Sequence, residues 1–223
     1  MPAIKSLTLP MTEQSVRELV VGDLVTLTGD ITITAGLPTH RRIIEYMEAG
    51  RPLPIDITGD TLFHLGSYSQ ETDGRFEVLY MNPTTSTRFN SLMPGLIRHY
   101  RLRLIGGKGG LDMACTQAMQ EVGCVYLSFL GGGCPLLTDA IQSVVAVAWD
   151  DLISHYRLVR LRVADLGPLV VAIDSHGGSI YEQCTRTAEE RLPEIMKALD
   201  AERGHRVVPS AATKAPDEVQ PVR

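Results

Sequence analysis

The sequence predicts a mixed α/β chain, with a mixed sheet and helices packed on it. Three observations point there. Strand-like and helix-like segments intermingle along the chain instead of segregating into halves. Of 223 residues, 44% are hydrophobic and 21% charged, which supplies a core and excludes disorder over most of the length. Short β-branched runs lead into loops rich in glycine or threonine, where strands hand over to helices.

The elements follow in order. Residues 1–20 read as an extended arm and a short helix, SVRELV. Asp23 to Ile33 is strand-like, full of Val, Leu, Ile and Thr. His40 to Ala49 places Ile43, Ile44 and Met47 at helical spacing, with Gly50 as the stop and Pro52 and Pro54 beyond it. Thr61 to Gly66 and Phe76 to Met81 read as strands joined by a polar loop, SYSQETDGR. The turn MNPTTSTRF leads into a helix ending near Tyr100. Arg101 to Ile105 is a short strand entering GGKGG, Leu111 to Glu121 a helix, and Val125 to Leu130 an apolar strand. Gly131, Gly132 and Gly133 precede an expected helix from Pro135 to Val144, with proline in its first turn. Two strands, Leu158 to Val163 and Leu169 to Ile173, and a helix from Glu189 to Glu202 complete the pattern. One compact domain, residues 1–203, accounts for all of this. Residues 204–223 are Pro, Ala and polar residues without periodicity, expected to be a disordered tail or a partner-binding arm.

Composition narrows the function. The formal net charge of -5 argues against a nucleic-acid or anionic-membrane surface. No apolar run reaches the ~18–20 residues of a membrane span, and the start has no apolar signal core, so a cytoplasmic location is expected. Cys115, Cys124, Cys134 and Cys184 form no C-x-x-C pair. They are expected to be buried, reduced thiols that hold no metal.

Four loops could do chemistry. In Asn82 to Arg88, NPTTSTR, the hydroxyls and Arg88 could bind a carboxylate, or Thr84, Thr85 and Ser86 could simply cap a helix. Gly106-Gly107-Lys108-Gly109-Gly110 lets backbone approach a ligand beside an ammonium, or is a flexible turn. It is not a Walker A loop, because Leu102 and Gly109 stand where Gly and Ser or Thr are required. Gly131-Gly132-Gly133-Cys134 could form an anion nest with a reactive thiol, or serve tight helix packing. Asp174-Ser175-His176 could orient a neighbour or move a proton, or be structural.

In combination these loops are specific. Gly22-Asp23, Thr28-Gly29, His40-Arg41-Arg42, Pro83-Thr84-Thr85-Ser86 with Arg88, Gly107-Lys108-Gly109, the 131–134 loop and Asp174-Ser175-His176-Gly177 resemble the C-terminal domain of class I fumarases and the beta subunit of L(+)-tartrate dehydratases. The resemblance implies a swivelling β/β/α-type domain. It also implies an iron–sulfur hydro-lyase acting on a small hydroxy-carboxylate such as tartrate or malate/fumarate. A [4Fe-4S] cluster would be held by a partner alpha subunit and none by this chain, in a hetero-oligomer or a beta–beta dimer. By resemblance Thr84 is the proton-abstracting base and Lys108 is catalytic. Arg88, Thr85, His40 and Lys108 bind substrate, while Asp174, His176, Gly107 and Gly109 support them. One departure stands out: Gly36-Leu37 occupies the place of an Arg-Asp pair whose arginine binds a carboxylate. That end of the pocket is therefore expected to be less cationic and more apolar, unless Arg41 or Arg42 substitutes. The alternatives to a hydro-lyase are a non-catalytic paralogue serving as an anion-binding or regulatory module, and a stand-alone enzyme using Cys134.

Overall fold

The computed structural model describes residues 3–73 and 75–205. The chain divides into two compact units, residues 1–183 and 184–223. The first holds β1 (Ile4–Thr8), α1 (Glu13–Arg17), β2 (Leu24–Ile33), α2 (Leu37–Glu48), β3 (Thr61–Phe63), β4 (Leu65–Thr72), β5 (Arg75–Pro83), α3 (Met93–Tyr100), β6 (Leu104–Gly107), α4 (Met113–Val122), β7 (Val125–Ser128), α5 (Cys134–Asp139), β8 (Ile141–Ala148) and β9 (Leu158–Ile173). The described residues of the second unit, 184–205, are the body of α6 (Ile180–His205). Apart from the last two residues of α6, the expected tail 204–223 lies outside the described residues.

Seven strands form a mixed sheet in the order β1-β2-β3-β6-β7-β9-β8. β1, β2, β3, β6 and β7 run parallel, and β9 is antiparallel to β7, β8 and β2. Because β9 also pairs with β2, the sheet closes on itself. This is the α/β class expected. Side-chain alternation sorts the core into two layers. Phe63, Leu104, Val125 and Leu127 point to one face with Leu27, Ile31 and Leu161. Leu62, Ile105 and Tyr126 point to the other, where α2, α3 and α4 cover them with Ile43, Leu96, Ile97 and Met119. Burial on both faces explains why these strands read as unbroken apolar runs.

Caps set the helix ends. Thr12 accepts from Ser15 N at the start of α1, and Asp112 accepts from Cys115 N at the start of α4, which Gly123 ends at φ 72°. Pro38 and Pro94 occupy the first turns of α2 and α3.

Four expectations are corrected. Residues 141–144, expected as the end of a helix, instead begin strand β8, because Val144, Val145 and Val147 favour a pleated surface and β9 offers an edge. The expected polar loop 67–75 belongs largely to the β4–β5 hairpin, where Tyr68 and residues 70–73 are exposed while Ser67 is buried. The two strands at 158–173 are one strand, kinked at Asp165 (φ 50°) and Gly167 (φ 155°) where its register against β2 shifts. The last helix begins at Ile180 rather than near Glu189, with Ser179 Oγ accepting from Glu182 N.

Candidate anion-binding cleft

β5 ends at Pro83 and β6 at Gly107, and the chain beyond them is knitted together by backbone bonds. Thr84 N donates to His64 O (2.8 Å), Lys108 N to Thr84 O (3.0 Å) and Ser86 N to Lys108 O (2.8 Å). This parallel bridge sets the threonine loop against the lysine loop. The glycines before the lysine follow from it. A Cβ on Gly107 would collide with Ser86 Oγ and lie 3.0 Å from His64 Cβ, and one on Gly106 would lie 2.5 Å from the Phe129 ring. The GGKGG segment is thus a close-packed crossing, not a flexible turn. Gly131 of the third glycine loop stands 3.6 Å, measured from its would-be Cβ, from Lys108 Cδ.

Above this crossing opens a cleft of about 350 Å³. Thr84, Arg88 and Lys108 line it together with Asn82 and Pro83; Ala35, Gly66, Tyr80, His155 and Tyr156 complete it. Arg88 Nη1 donates to Thr84 Oγ1 at 3.4 Å. Among the described residues, neither Arg88 nor Lys108 is ion-paired to a carboxylate, whereas Arg42, Arg98, Arg160 and Arg162 all are. Two unneutralised cations thus share one small concavity, separated by 20 residues in sequence.

Capping does not explain the hydroxyl loop. The 3-10 turn Ser86–Phe89 follows Thr85 with no side-chain cap bond, and α3 starts only at Met93. Ser86 instead turns inward, its Oγ 2.8 Å from both His64 Nδ1 and Tyr126 Oη. Burial pushes the Tyr126 phenol above its ordinary range, so it stays protonated. The polar chain His64–Ser86–Tyr126 pins the cation-bearing loop to the core. His64 sits in an apolar strand context and Tyr126 inside a continuous apolar run, so neither carries a local sequence signal.

Two of the expected substrate contacts lie off this cleft. His40 is fully buried and does not line the cleft. Its Nδ1–H donates to Gly36 O (2.7 Å), and its ring stacks on Phe89 at 4.0 Å and lies 5.2 Å from His64. Desolvation lowers its pKa to about 4 and drives His64 down as well, so both imidazoles are neutral at pH 7. Thr85 also lies off the cleft, its methyl directed at Gly109, which adopts φ +80°.

Asp174 accepts from the backbone N–H groups of Val21 (3.0 Å), His176 (3.0 Å) and Gly178 (2.8 Å), and His176 Nε2–H donates to Arg17 O (2.8 Å). Both are used in fixing the turn after β9 to the segment after α1, and neither lines the cleft. Cys134 opens the six-residue α5, with Thr138 Oγ1 donating to its carbonyl (2.7 Å), and it too lies off the cleft. All four cysteines are free, but only Cys115 and Cys124 are buried, their thiols pushed up by desolvation; Cys134 is half-buried and Cys184 exposed. No three His, Cys, Asp or Glu gather as a metal set among the described residues.

The Gly36-Leu37 departure has a structural basis. A Cβ on Gly36 would lie 2.7 Å from Tyr156 Cβ and 2.5 Å from Thr39 Oγ1, so no longer side chain fits there. Arg42 does not fill in: it grips Asp151 through two bonds (2.8 and 2.7 Å) and lies over Trp149. Arg41 is exposed on α2, away from the cleft.

Relatives share this architecture in sequence. The chain is 34% identical over 187 residues to the "Putative L(+)-tartrate dehydratase subunit beta" of Methanocaldococcus jannaschii, covering 83% of this chain and 95% of that protein. It is 30% identical over 195 residues to the L(+)-tartrate dehydratase subunit beta of Escherichia coli K12, covering 87% and 95%. It is 32% identical over 191 residues to the "Putative fumarate hydratase class I" of Geobacillus stearothermophilus, covering 85% of this chain but 36% of that longer protein. The Fumarase C-terminus profile matches residues 3–184, a span that takes in both halves of the cleft, and the chain belongs to that family.

Proposed function

We propose that the chain is the beta subunit of a hydro-lyase that adds or removes water on a small hydroxy-carboxylate, tartrate and malate/fumarate being the class suggested by its relatives. The observation that carries this reading is the pair of unneutralised cations, Arg88 and Lys108, facing one cleft beside a threonine hydroxyl. Abstracting a proton next to a carboxylate loads a second negative charge onto that group, and fixed cations stabilise it. Arg88 supplies a planar fork for carboxylate oxygens, and Lys108 a compact charge held by a packed backbone crossing. Thr84 is the candidate base. Its oxygen accepts from Arg88, which leaves its own proton free to depart and favours the alkoxide. Asp174, His176, Gly107 and Gly109 act by holding loops in place.

The donors on this chain do not fit a [4Fe-4S] cluster. Two of its four thiols are buried and protonated, and the described cysteines do not converge with other ligands. The reading therefore assigns the cluster and the remaining site groups to an alpha subunit. Co-expression with such a subunit, anaerobic purification and assay over a panel of hydroxy acids tests it. Dehydration that is lost in Arg88→Ala supports the proposal. A complex with an intact cluster that turns over no hydroxy acid would make the chain a non-catalytic paralogue.

A further inference from the structure

We propose that His155 receives the second carboxylate of a dicarboxylate substrate, binding it as imidazolium, so that the cleft takes up a proton together with its ligand. This rests on the hydro-lyase reading and names a specificity-determining residue of that same site.

The lining of the cleft falls into two groups. Arg88 and Lys108 belong to the first, on loops bridged to each other at Thr85 and Lys108. Together they match the doubled charge of one carboxylate whose neighbouring carbon has lost a proton. The second group is Ala35, Gly66, Tyr80, His155 and Tyr156, from the end of β2, from β4 and β5, and from the turn before β9. A small acid anchored on the two cations in a cleft of about 350 Å³ carries its other end toward this second group. Imidazole is the side-chain type among them whose ordinary titration crosses neutral pH, so it can become a cation when an anion arrives.

The imidazole stands on a built turn. Ala35 N donates to His155 O (3.0 Å), and Tyr156 N to Ile153 O (2.8 Å). Tyr156 O accepts from Thr34 Oγ1 (3.2 Å) and from Thr39 Oγ1. Ser154 Oγ accepts from Ser69 N (3.0 Å) and donates to Ser67 O (3.2 Å), tying the turn to β4. A Cβ on Gly66 would lie 3.1 Å from His155 Cβ, so glycine there lets the turn come in close. The charged and titratable groups that share the cleft with His155 are the Arg88 and Lys108 cations and the Tyr80 and Tyr156 phenols, and no carboxylate lines it. Ala35 and Gly66, packed against it from the end of β2 and from β4, carry no charge. On its own turn, Arg157 donates to Leu152 O (3.0 Å) and Asp150 O (3.1 Å), and Asp151 is paired with Arg42. The anionic partner for the imidazolium therefore comes with the ligand.

The test compares L-malate with 3-hydroxybutyrate, which keeps the carboxylate beside the carbon that loses a proton and has a methyl group in place of the other. Equilibrium binding to the complex of the full chain with the alpha subunit is measured from about pH 6 to pH 8.5, alongside turnover. Malate affinity is expected to fall by roughly tenfold or more across that range, because the imidazolium is lost, while 3-hydroxybutyrate affinity stays nearly flat. Calorimetry in two buffers of different ionisation heat should show proton uptake with malate. His155→Gln should flatten the malate profile at its high-pH level, and His155→Arg should flatten it at the tight end, because a guanidinium keeps its charge throughout. A flat malate profile in the wild-type complex overturns the inference, whatever the fate of the variants. So does a pH dependence that persists in folded His155→Gln, an equal dependence for 3-hydroxybutyrate, or failure of malate to bind. Turnover of malate with binding indifferent to His155 sinks the inference and leaves the hydro-lyase reading standing. Proton uptake that depends on His155, without turnover of any acid, does the reverse.

Discussion

Arg88 and Ser86 are two residues apart and do opposite work. Arg88 is exposed, reaches the cleft, and its single described bond is a 3.4 Å contact to Thr84. Ser86 is buried and binds His64 and Tyr126. Arg88→Lys keeps the charge but loses the fork, so carboxylate affinity of the complex should fall by about 10- to 100-fold with little change in unfolding midpoint. Titration calorimetry alongside a urea melt would check this, and full affinity in the lysine variant would remove Arg88 from the anion site. Ser86→Ala leaves two buried polar groups without their shared partner and should cost about 1–3 kcal/mol of stability by urea denaturation. Gly107→Ala belongs with it, since its methyl would push into Ser86 and the His64 Cβ; a loss of about 1–3 kcal/mol is expected. The sequence alone already singles out Arg88, Lys108 and the glycines around the lysine, because unusual residues crowd into short loops. It says nothing of His64 or Tyr126, whose roles arise only when strands 22 and 40 residues from Ser86 pair beside it.

At the scale of elements, periodicity reports well wherever one environment persists along a segment. α2, α3 and α4 bury regular faces and start at a proline or an aspartate cap, and they fall where the pattern places them. Residues 135–144 mislead because α5 and the start of β8 are adjacent and α5 is short, so their apolar positions merge into one apparent helical stripe. The β4–β5 hairpin misleads for the opposite reason, since its outer residues bury neither face. The packing of α2 against the sheet carries a pH signature. His40 and His64 are buried neutral beside Phe89, each with an Nε2 atom that finds no partner among the described residues. His40 titrates near 4 in the folded chain against about 6.5 unfolded, so below pH 6.5 the unfolded chain binds the extra proton. Stability is therefore complete above pH 6.5 and is lost as pH falls toward 4, on the order of 3 kcal/mol from His40 alone. His64 acts in the same direction. Urea midpoints between pH 7.5 and 4.5 measure this; a flat profile, or one unchanged in His40→Gln, would locate acid sensitivity elsewhere.

For the whole molecule, the geometry divides labour between what this chain holds and what it lacks. It holds two cations, a hydroxyl and a shaped wall, all in the unit formed by residues 1–183. Among the described residues it gathers no set of three metal-binding side chains, and its two buried thiols are held in the protonated form. Removing a hydroxyl group from a hydroxy acid needs a Lewis acid or a proton donor at the leaving oxygen. Among the described residues no set of metal-binding side chains lines the cleft, and its candidate proton donors are the His155 imidazole and the Tyr80 and Tyr156 phenols, since His40 is sealed off and His176 is committed to Arg17 O. The chain purified alone under anaerobic conditions, with iron and sulfide supplied, should therefore remain colourless and show no dehydratase activity, while still binding a carboxylate through Arg88. The three readouts separate the possibilities. Iron–sulfur absorption in the single chain would mean that it carries its own cluster and would end the two-subunit argument. Turnover without any cluster would shift the chemistry onto Thr84 and Lys108 by themselves. Carboxylate binding that survives Arg88→Ala would place the anion somewhere other than this cleft, and the assignment of the cleft as half of a shared active site would fall with it.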